Sequence, residues 1–297
     1  MGMLLKDRKF LLCFGAQRGG TTWLDLQLRQ HPGFSFPPYK EIRYLDPIYV
    51  HDFANIQQQR IHLFQRMIRH RKVPEQTGIT EQESKALLWR AKYSLVSRGN
   101  YNDDWYSSLF ADVDESKVTG DFSPDYSLLP DSGVEHLFSL VPNTKLIFLL
   151  RNPVNRIISG ASYAIRTEVN LSPEEREKKL VNSIKSDLQF AFSDYQGIIE
   201  RYERFFTQSS LKVLYHDDIN ENPLKIIKEA CEWGGAEFKP KYFRESIEKS
   251  VNTSKEQQFP EEALRELNRK CMPTLEWLAN RYGGRTEKWL EQAKRSI

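Results

Sequence analysis

Apolar residues in this chain gather in a few short runs, and the segments between them carry apolar positions at helical spacing. The first run is Phe10-Leu11-Leu12-Cys13-Phe14. Five consecutive apolar residues closed by Gly15 predict a strand buried on both faces, as in a parallel sheet. Gly15 to Gly20 reads as a loop. Residues 21–30 set Trp23, Leu24, Leu26 and Leu28 among polar residues, and His31-Pro32 closes the segment, which predicts a helix with a proline stop. Lys117 to Phe122 predicts a short second strand. Lys145-Leu146-Ile147-Phe148-Leu149-Leu150 predicts the strongest strand; it ends in Arg151 and passes through Asn152-Pro153 into a helix over about residues 154–166. The charged stretch Ser172 to Lys179 reads as a surface loop opening another helix. A helix over 184–206 then leads to a strand at Leu211–Tyr215, and a helix over 223–233 stops at Gly234-Gly235.

Strands alternating with helices predict an α/β fold of P-loop type, a mostly parallel β-sheet flanked by helices. Residues 47–112 interrupt the alternation. They are rich in Gln, Arg, His, Lys and Trp, with helical spacing around Ile61, Phe64 and Ile68 and again from Ala86 to Val96, so they predict a helical insertion. The tail, residues 260–295, predicts helix with one Gly-Gly break. No internal repeat or low-complexity linker divides the chain, and one domain over residues 1–297 is expected.

Composition narrows the function class. Hydrophobic residues make up 39% and charged residues 28%, which suits a globular enzyme and excludes a disordered chain. Lys and Arg number 43 against 40 Asp and Glu, so a net charge of +3 gives no general reason to expect a nucleic-acid partner. The local basic run Arg66, Arg69, His70, Arg71 and Lys72 reads first as a solvated helix end and second as a patch for an anionic substrate. Cys13, Cys231 and Cys271 are odd in number and far apart, which excludes a disulfide scaffold and a cysteine-rich zinc site. Cys13, inside an apolar run, reads as a buried inert thiol. No apolar stretch approaches the roughly 20 residues of a membrane span, and the N-terminal run is too short for a signal peptide. The expected location is cytoplasmic, although a chain trimmed of an anchor would read the same.

The candidate chemistry starts at Gly15-Ala16-Gln17-Arg18-Gly19-Gly20-Thr21-Thr22. Glycines let backbone N–H groups converge on an anion, and the next helix offers its positive N-terminal end. Against the pattern G-x-x-x-x-G-K-[ST], Gly15, Gly20 and Thr22 fit, but Thr21 stands in place of the lysine and the cation is Arg18 inside the loop. A magnesium-dependent kinase would also place an acid at the end of a second strand, whereas strand 145–150 ends in Arg151. A cation there suits a second phosphate, and Ser159, eight residues on, can add a hydroxyl. The bland readings are a glycine turn without a ligand and, for Arg151 and Arg156, a solvated helix start. Both motifs sit at strand C-terminal ends, where open α/β sheets bind ligands, and this favours a site.

These residues carry a resemblance. Gln17-Arg18-Gly19-Gly20-Thr21-Thr22-Trp23-Leu24 resembles the 5′-phosphosulfate loop of sulfotransferases that use 3′-phosphoadenosine 5′-phosphosulfate (PAPS). Arg151-Asn152-Pro153-Val154-Asn155-Arg156-Ile157-Ile158-Ser159 resembles their 3′-phosphate motif. His31-Pro32 with Lys40-Glu41-Ile42-Arg43-Tyr44-Leu45-Asp46 is similar to the HP…KE-x-x-(F/Y)-x-D segment of the heparan-sulfate-type and bacterial branch. Gly120-Asp121-Phe122-Ser123-Pro124-Asp125-Tyr126 is similar to that branch's G-E-x-(S/T)-P-x-Y. Many relatives carry Lys where this chain has Arg18, whereas tyrosylprotein sulfotransferases carry Arg there, and Asp121 stands where Glu is usual; neither change removes a charge.

The resemblance implies metal-independent, in-line transfer of a sulfuryl group from PAPS to a hydroxyl or amine of a glycan or small-molecule acceptor. It assigns Gln17, Arg18, Gly19, Gly20, Thr21, Thr22, Trp23, Arg151 and Ser159 to the donor. Lys255, in the late loop Asn252-Thr253-Ser254-Lys255, would contact the donor's 5′ side. Arg18 would stabilise the leaving phosphate and Glu41 would be the general base, its alternative being an ion-pair partner of Lys40 or Arg43. Asp121 would orient Arg18 or the acceptor, its alternative being a strand-end turn residue. His31 reads as a capping or packing residue. Trp89, Tyr93, Tyr101, Trp105 and Tyr106 suit either a flat acceptor or a core between two helices. The competing functions are a P-loop kinase of a small molecule and a nucleotide-binding protein without catalysis.

Overall fold

The computed structural model describes residues 5–69, 81–166, 168, 170–243 and 257–297. Four strands, β1 (Phe10–Gly15), β2 (Thr119–Phe122), β3 (Lys145–Leu150) and β4 (Leu211–Tyr215), form a sheet in the order β2-β1-β3-β4. Each neighbouring pair is parallel: Leu12 of β1 lies beside Asp121 of β2 on one side and beside Leu146 of β3 on the other.

Side chains alternate between the two faces of a strand, so each apolar run divides between two cores. Leu11, Cys13, Ile147 and Leu149 pack on one face with Trp23 and Leu24 of the helix Thr21–Leu28 and Ile226, Ile227 and Ala230 of the helix Pro223–Gly234. Phe10, Leu12, Phe14, Leu146, Phe148 and Leu150 pack on the other. There they meet Ile157 and Ala161 of the helix Pro153–Ala164, Ile198 and Tyr202 of Tyr195–Glu203, and Leu275 and Leu278 of Glu261–Tyr282. Burial on both sides is what makes these strands continuous hydrophobic runs in the sequence.

The two layers also create the crevice that holds the candidate site. The helix after β1 covers one face of the sheet and the helix after β3 covers the other. Since β1 and β3 are neighbours, the chain parts at their C-terminal ends, which is where open α/β sheets bind ligands.

The expected insertion is helical, with helices Asp46–Tyr49, Phe53–Arg69, Glu81–Ser94 and Asp103–Ser108 between the first helix and β2. The tail forms Glu261–Tyr282 and Arg285–Arg295 about the break at Gly283-Gly284. The single helix expected over 184–206 is instead two pieces, Asp187–Ala191 and Tyr195–Glu203, preceded by a separate helix, Pro173–Ile184. Inside that periodicity Asp194 acts as a cap, accepting from the N–H of Gly197 at 3.1 Å, and upstream Ser172 and Glu175 form a reciprocal capping box that starts Pro173–Ile184. Ser172–Lys179 is therefore the start of a helix rather than a surface loop. A further helix, Asp131–Leu140, was not anticipated.

All three cysteines are buried and unpaired, and burial pushes the Cys13 thiol up to about 12, in keeping with an inert side chain. His31 is also buried: its Nδ1 accepts from the N–H of Gly33 at 2.9 Å, and its ring packs edge-on to Tyr242. In the basic run, His70, Arg71 and Lys72 lie outside the described residues, and Arg66 is exposed. Among the described residues, no helix is long and apolar enough to cross a membrane.

Asn152 decides how the chain leaves β3. Its buried side chain accepts from the N–H groups of Val154 at 3.0 Å and Asn155 at 3.4 Å, capping the helix Pro153–Ala164. Asn152→Ala is expected to lower stability by about 1–2 kcal/mol in urea unfolding.

Candidate functional site

The loop after β1 is shaped by close backbone approach. A Cβ on Gly19 would stand 2.6 Å from the carbonyl oxygen of Leu149 and 2.8 Å from that of Ala16, so only glycine fits. Gly20, at φ 97°, takes the left-handed conformation that turns the chain into the helix Thr21–Leu28. The N–H of Gly19 donates to Ala16 O at 2.9 Å and is committed inside the loop. Gly20, Thr21 and Thr22 line a cleft of about 710 Å³, together with Gln17, Arg18 and Trp23. The positive end of the helix opens onto this cleft.

Arg18 is a non-glycine residue at φ 65°, a conformation that costs on the order of 1–3 kcal/mol and is tolerated where surrounding contacts fix it. Its Nε donates to Ser159 Oγ at 3.2 Å, its guanidinium lies 4.4 Å from the centre of the Tyr163 ring, and its carbonyl accepts from Arg151 Nη1 at 2.8 Å. The ends of β1 and β3 are thus tied by one arginine donating to the other's backbone. Burial lowers the pKa of both guanidinium groups. Arg151 has no carboxylate within ion-pair distance among the described residues. Past the end of β4, the ring Nδ1 of His216 lies 3.0 Å from Gly19 O. Burial, followed by the nearby Arg151 charge, lowers the pKa of His216 to about 4, so a neutral ring braces the loop at neutral pH.

Glu41 lines the same cleft from a segment with no regular secondary structure. Glu41 at φ 62° and Arg43 at φ 53° are both left-handed, and the segment is held by its backbone hydrogen bonds. The N–H of Glu41 donates to Phe122 O at 3.2 Å, that of Ile42 to Asp121 Oδ1 at 3.4 Å, that of Arg43 to Ser123 Oγ at 3.0 Å and that of Tyr44 to Tyr126 OH at 2.9 Å. Four successive donors are met by one short stretch, residues 121–126. The Glu41 side chain is 45% exposed and accepts from Lys40 Nζ at 2.6 Å. Arg43 turns instead to Asp46 and Asp125, the latter at 2.6 Å, so of the two expected ion-pair partners Glu41 takes Lys40.

The structure brings Gln17, Arg18, Gly20, Thr21, Thr22, Trp23, Glu41, Arg151 and Ser159 around one cleft. Gly19 shapes the loop from beneath. Asp121 does not reach Arg18 or the cleft. It is buried, accepts from Ser123 Oγ at 2.7 Å and from the N–H of Ile42, and therefore bears on Glu41 through the backbone. Arg156 is fully buried rather than solvated; it donates to the backbone oxygen of Gln189 at 2.8 Å and fastens the helix after β3 to its neighbour. Lys255 and the loop Asn252–Lys255 lie outside the described residues. Sequence reasoning passed over His216, although a strand-end position was signal enough to single it out, and Tyr163, whose exposed ring on a helix carries no such mark.

The family model described as "Sulfotransferase family" matches residues 11–240. Among curated proteins, the chain is similar to the membrane-associated sulfotransferase kil1 of Dictyostelium discoideum, 26% identical over 165 residues. The match takes in 56% of this chain and 25% of that protein, so the chain spans about a quarter of the curated relative's length. Among solved structures, a sulfotransferase from Alicyclobacillus acidocaldarius superposes with a TM-score of 0.60 at 23% identity, over 95% of this chain and 98% of that one, which speaks to the fold.

Burial raises the Asp121 carboxyl to about 6 from an ordinary 3.8. Between these values the folded protein binds more protons than the unfolded chain, so this group's contribution to stability is full below about pH 4 and is lost as pH rises through 6. Asp121→Asn keeps an oxygen for Ile42 and removes the titration. Urea unfolding from pH 4 to 7 is expected to show wild type losing stability relative to the variant, by on the order of 3 kcal/mol. Parallel curves would contradict the burial argument.

Proposed function

The chain belongs to the sulfotransferase family, and on that premise we propose that it transfers a sulfuryl group from PAPS to a hydroxyl or amine of a carbohydrate or small-molecule acceptor. The observation that carries this reading is the pair of half-buried guanidinium groups at the ends of β1 and β3, linked through Arg18 O and, for Arg151, without a carboxylate partner among the described residues. Two cations gathered in a partly desolvated cleft cost free energy, and an entering polyanion offsets that cost. The glycine-shaped loop and the Arg151–Ser159 pair suit a ligand with anionic groups at two points. Arg18 and the N–H groups of Gly20, Thr21 and Thr22 would hold the 5′-phosphosulfate; Arg151 and Ser159 would hold the 3′-phosphate. Lys255 is assigned to the 5′ side by resemblance alone.

The donor supplies an activated sulfuryl group whose leaving group is a phosphate. Arg18 and the helix N-terminus neutralise the negative charge that builds on the bridging oxygen as its bond to sulfur breaks. A guanidinium keeps its proton at any working pH, so Arg18 acts as a fixed positive charge and not as an acid. Glu41 accepts the proton from the acceptor's oxygen or nitrogen as that atom bonds to sulfur. Lys40, at 2.6 Å, fixes the carboxylate's direction. Asp121, Ser123 and Tyr126 position Glu41 through the peptide groups they hold. On the acceptor side, Gln17, Lys40, Arg43 and Asp125 make the wall polar and charged, which suits a hydrophilic acceptor better than an apolar one.

Titration calorimetry with the desulfated product, 3′-phosphoadenosine 5′-phosphate, in EDTA tests the donor. Binding is expected without metal, weakened about tenfold to a hundredfold by Arg151→Ala and less by Ser159→Ala. Preference for ATP with magnesium would overturn the reading in favour of a kinase. Glu41→Gln is expected to lower PAPS turnover at least about 100-fold at unchanged product affinity; loss of nucleotide binding in that variant would count against the base assignment.

A further inference from the structure

The carbonyl groups of the Glu41 segment are taken up by the helical insertion. Tyr93 OH donates to Glu41 O at 3.2 Å, and Tyr101 OH donates to Tyr44 O at 2.6 Å. Between them Arg60 Nη2 faces three oxygens: Ile42 O at 3.0 Å, Arg43 O at 3.2 Å and Tyr101 OH at 2.9 Å. Four successive carbonyls, 41–44, therefore end on side chains of the insertion, and Arg60 meets the middle two.

Arg60 is 2% exposed. Its guanidinium carbon stands 4.8, 5.0 and 5.4 Å from the ring centres of Tyr93, Tyr101 and Trp105. It forms no ion pair among the described residues, and its Nε and Nη1 have no hydrogen-bond partner there. Such burial is costly, and three aromatic faces offset only part of it. An apolar side chain would fill the space at lower cost. What an apolar side chain cannot do is donate to two consecutive carbonyls whose peptide planes are turned by left-handed residues on either side, Glu41 and Arg43. Of the five aromatic residues that suited a flat acceptor or a core, Tyr93, Tyr101 and Trp105 line this cage, and Trp89 and Tyr106 are buried in the core. None of Trp89, Tyr93, Tyr101, Trp105 or Tyr106 is on the wall of the cleft.

We propose that Arg60, caged by Tyr93, Tyr101 and Trp105, is a positioning residue that fixes the left-handed backbone carrying Glu41, so that the insertion sets the geometry of proton removal. The catalytic half of this statement rests on Glu41 being the base; the clamp itself does not.

Hydrogen–deuterium exchange of the full chain, wild type against Arg60→Met, Arg60→Lys and Tyr93→Phe, tests the clamp without any acceptor. Peptides covering residues 38–47 are expected to exchange about tenfold faster in Arg60→Met, less so in the two milder variants. Peptides from β1 and β3 and the affinity for 3′-phosphoadenosine 5′-phosphate should not change. If Arg60→Met unfolds the insertion, Arg60→Lys and Tyr93→Phe carry the comparison. Unchanged exchange over 38–47 in these variants, or an increase spread evenly over the sheet, overturns the proposal. With a simple sugar such as glucose, whose hydroxyl must lose its proton, as acceptor probe, PAPS turnover is expected to fall on the order of 100-fold in Arg60→Met, in kcat and not in the donor KM. Arg60→Met added to Glu41→Gln should slow it no further, and an additional loss there overturns the positioning role. Full turnover by Glu41→Gln would sink the base assignment alone, and the exchange result would still decide the clamp.

Discussion

Every buried peptide group must find a hydrogen-bond partner, and residues 41–44 lie outside any helix or strand that would provide one. Two of the four are left-handed without being glycine. Their N–H groups end on Phe122, Asp121, Ser123 and Tyr126, and their carbonyls on Tyr93, Arg60 and Tyr101. Much of the surrounding sequence follows from this. It accounts for a buried aspartate and a buried arginine that never touch one another, and for a cluster of tyrosines whose hydroxyls point at backbone. For the base proposed here, a backbone held in this way limits the reorganisation of the peptide groups around it when charge moves.

The opposite wall of the cleft obeys a different constraint. There the helices following β1 and β3 leave for opposite faces of the sheet, and the crevice between them is lined by cations. Arg151 donating to Arg18 O ties the two strand ends, and a neutral His216 beside Gly19 O braces the loop from β4. Backbone shape, not net charge, concentrates positive potential here, in a chain whose formal charge is only +3.

The sheet was legible because burial on both faces writes strands as unbroken apolar runs, and the loop was legible because Gly19 and Gly20 answer steric demands that no other residue meets. Strand ends told where to look, and Arg18, Arg151 and Ser159 followed. Orientation was not legible. Asp121 carries the right charge in a recognisable motif, yet nothing in the sequence says that it turns to the N–H of Ile42. Arg60 is one cation among many in an insertion rich in polar residues, and reads as solvated. The Gly19 N–H looked available until its bond to Ala16 O was seen. The helix expected over 184–206 failed for a local reason, since Ser and Asp inside a helical period can begin a new helix as well as decorate an old one.

The contacts of Tyr93, Arg60 and Tyr101 with the backbone of residues 41–44 bear on how such a protein can diversify. An insertion standing apart from the sheet looks like a module, free to be lengthened, shortened or exchanged as new acceptors are adopted. Here the same helices hold up the wall on which Glu41 stands, so a transplanted insertion brings its own backbone supports or leaves four carbonyls stranded. Variation is therefore channelled to the outward faces of these helices and to their connecting loops, while the inward residues change only in concert.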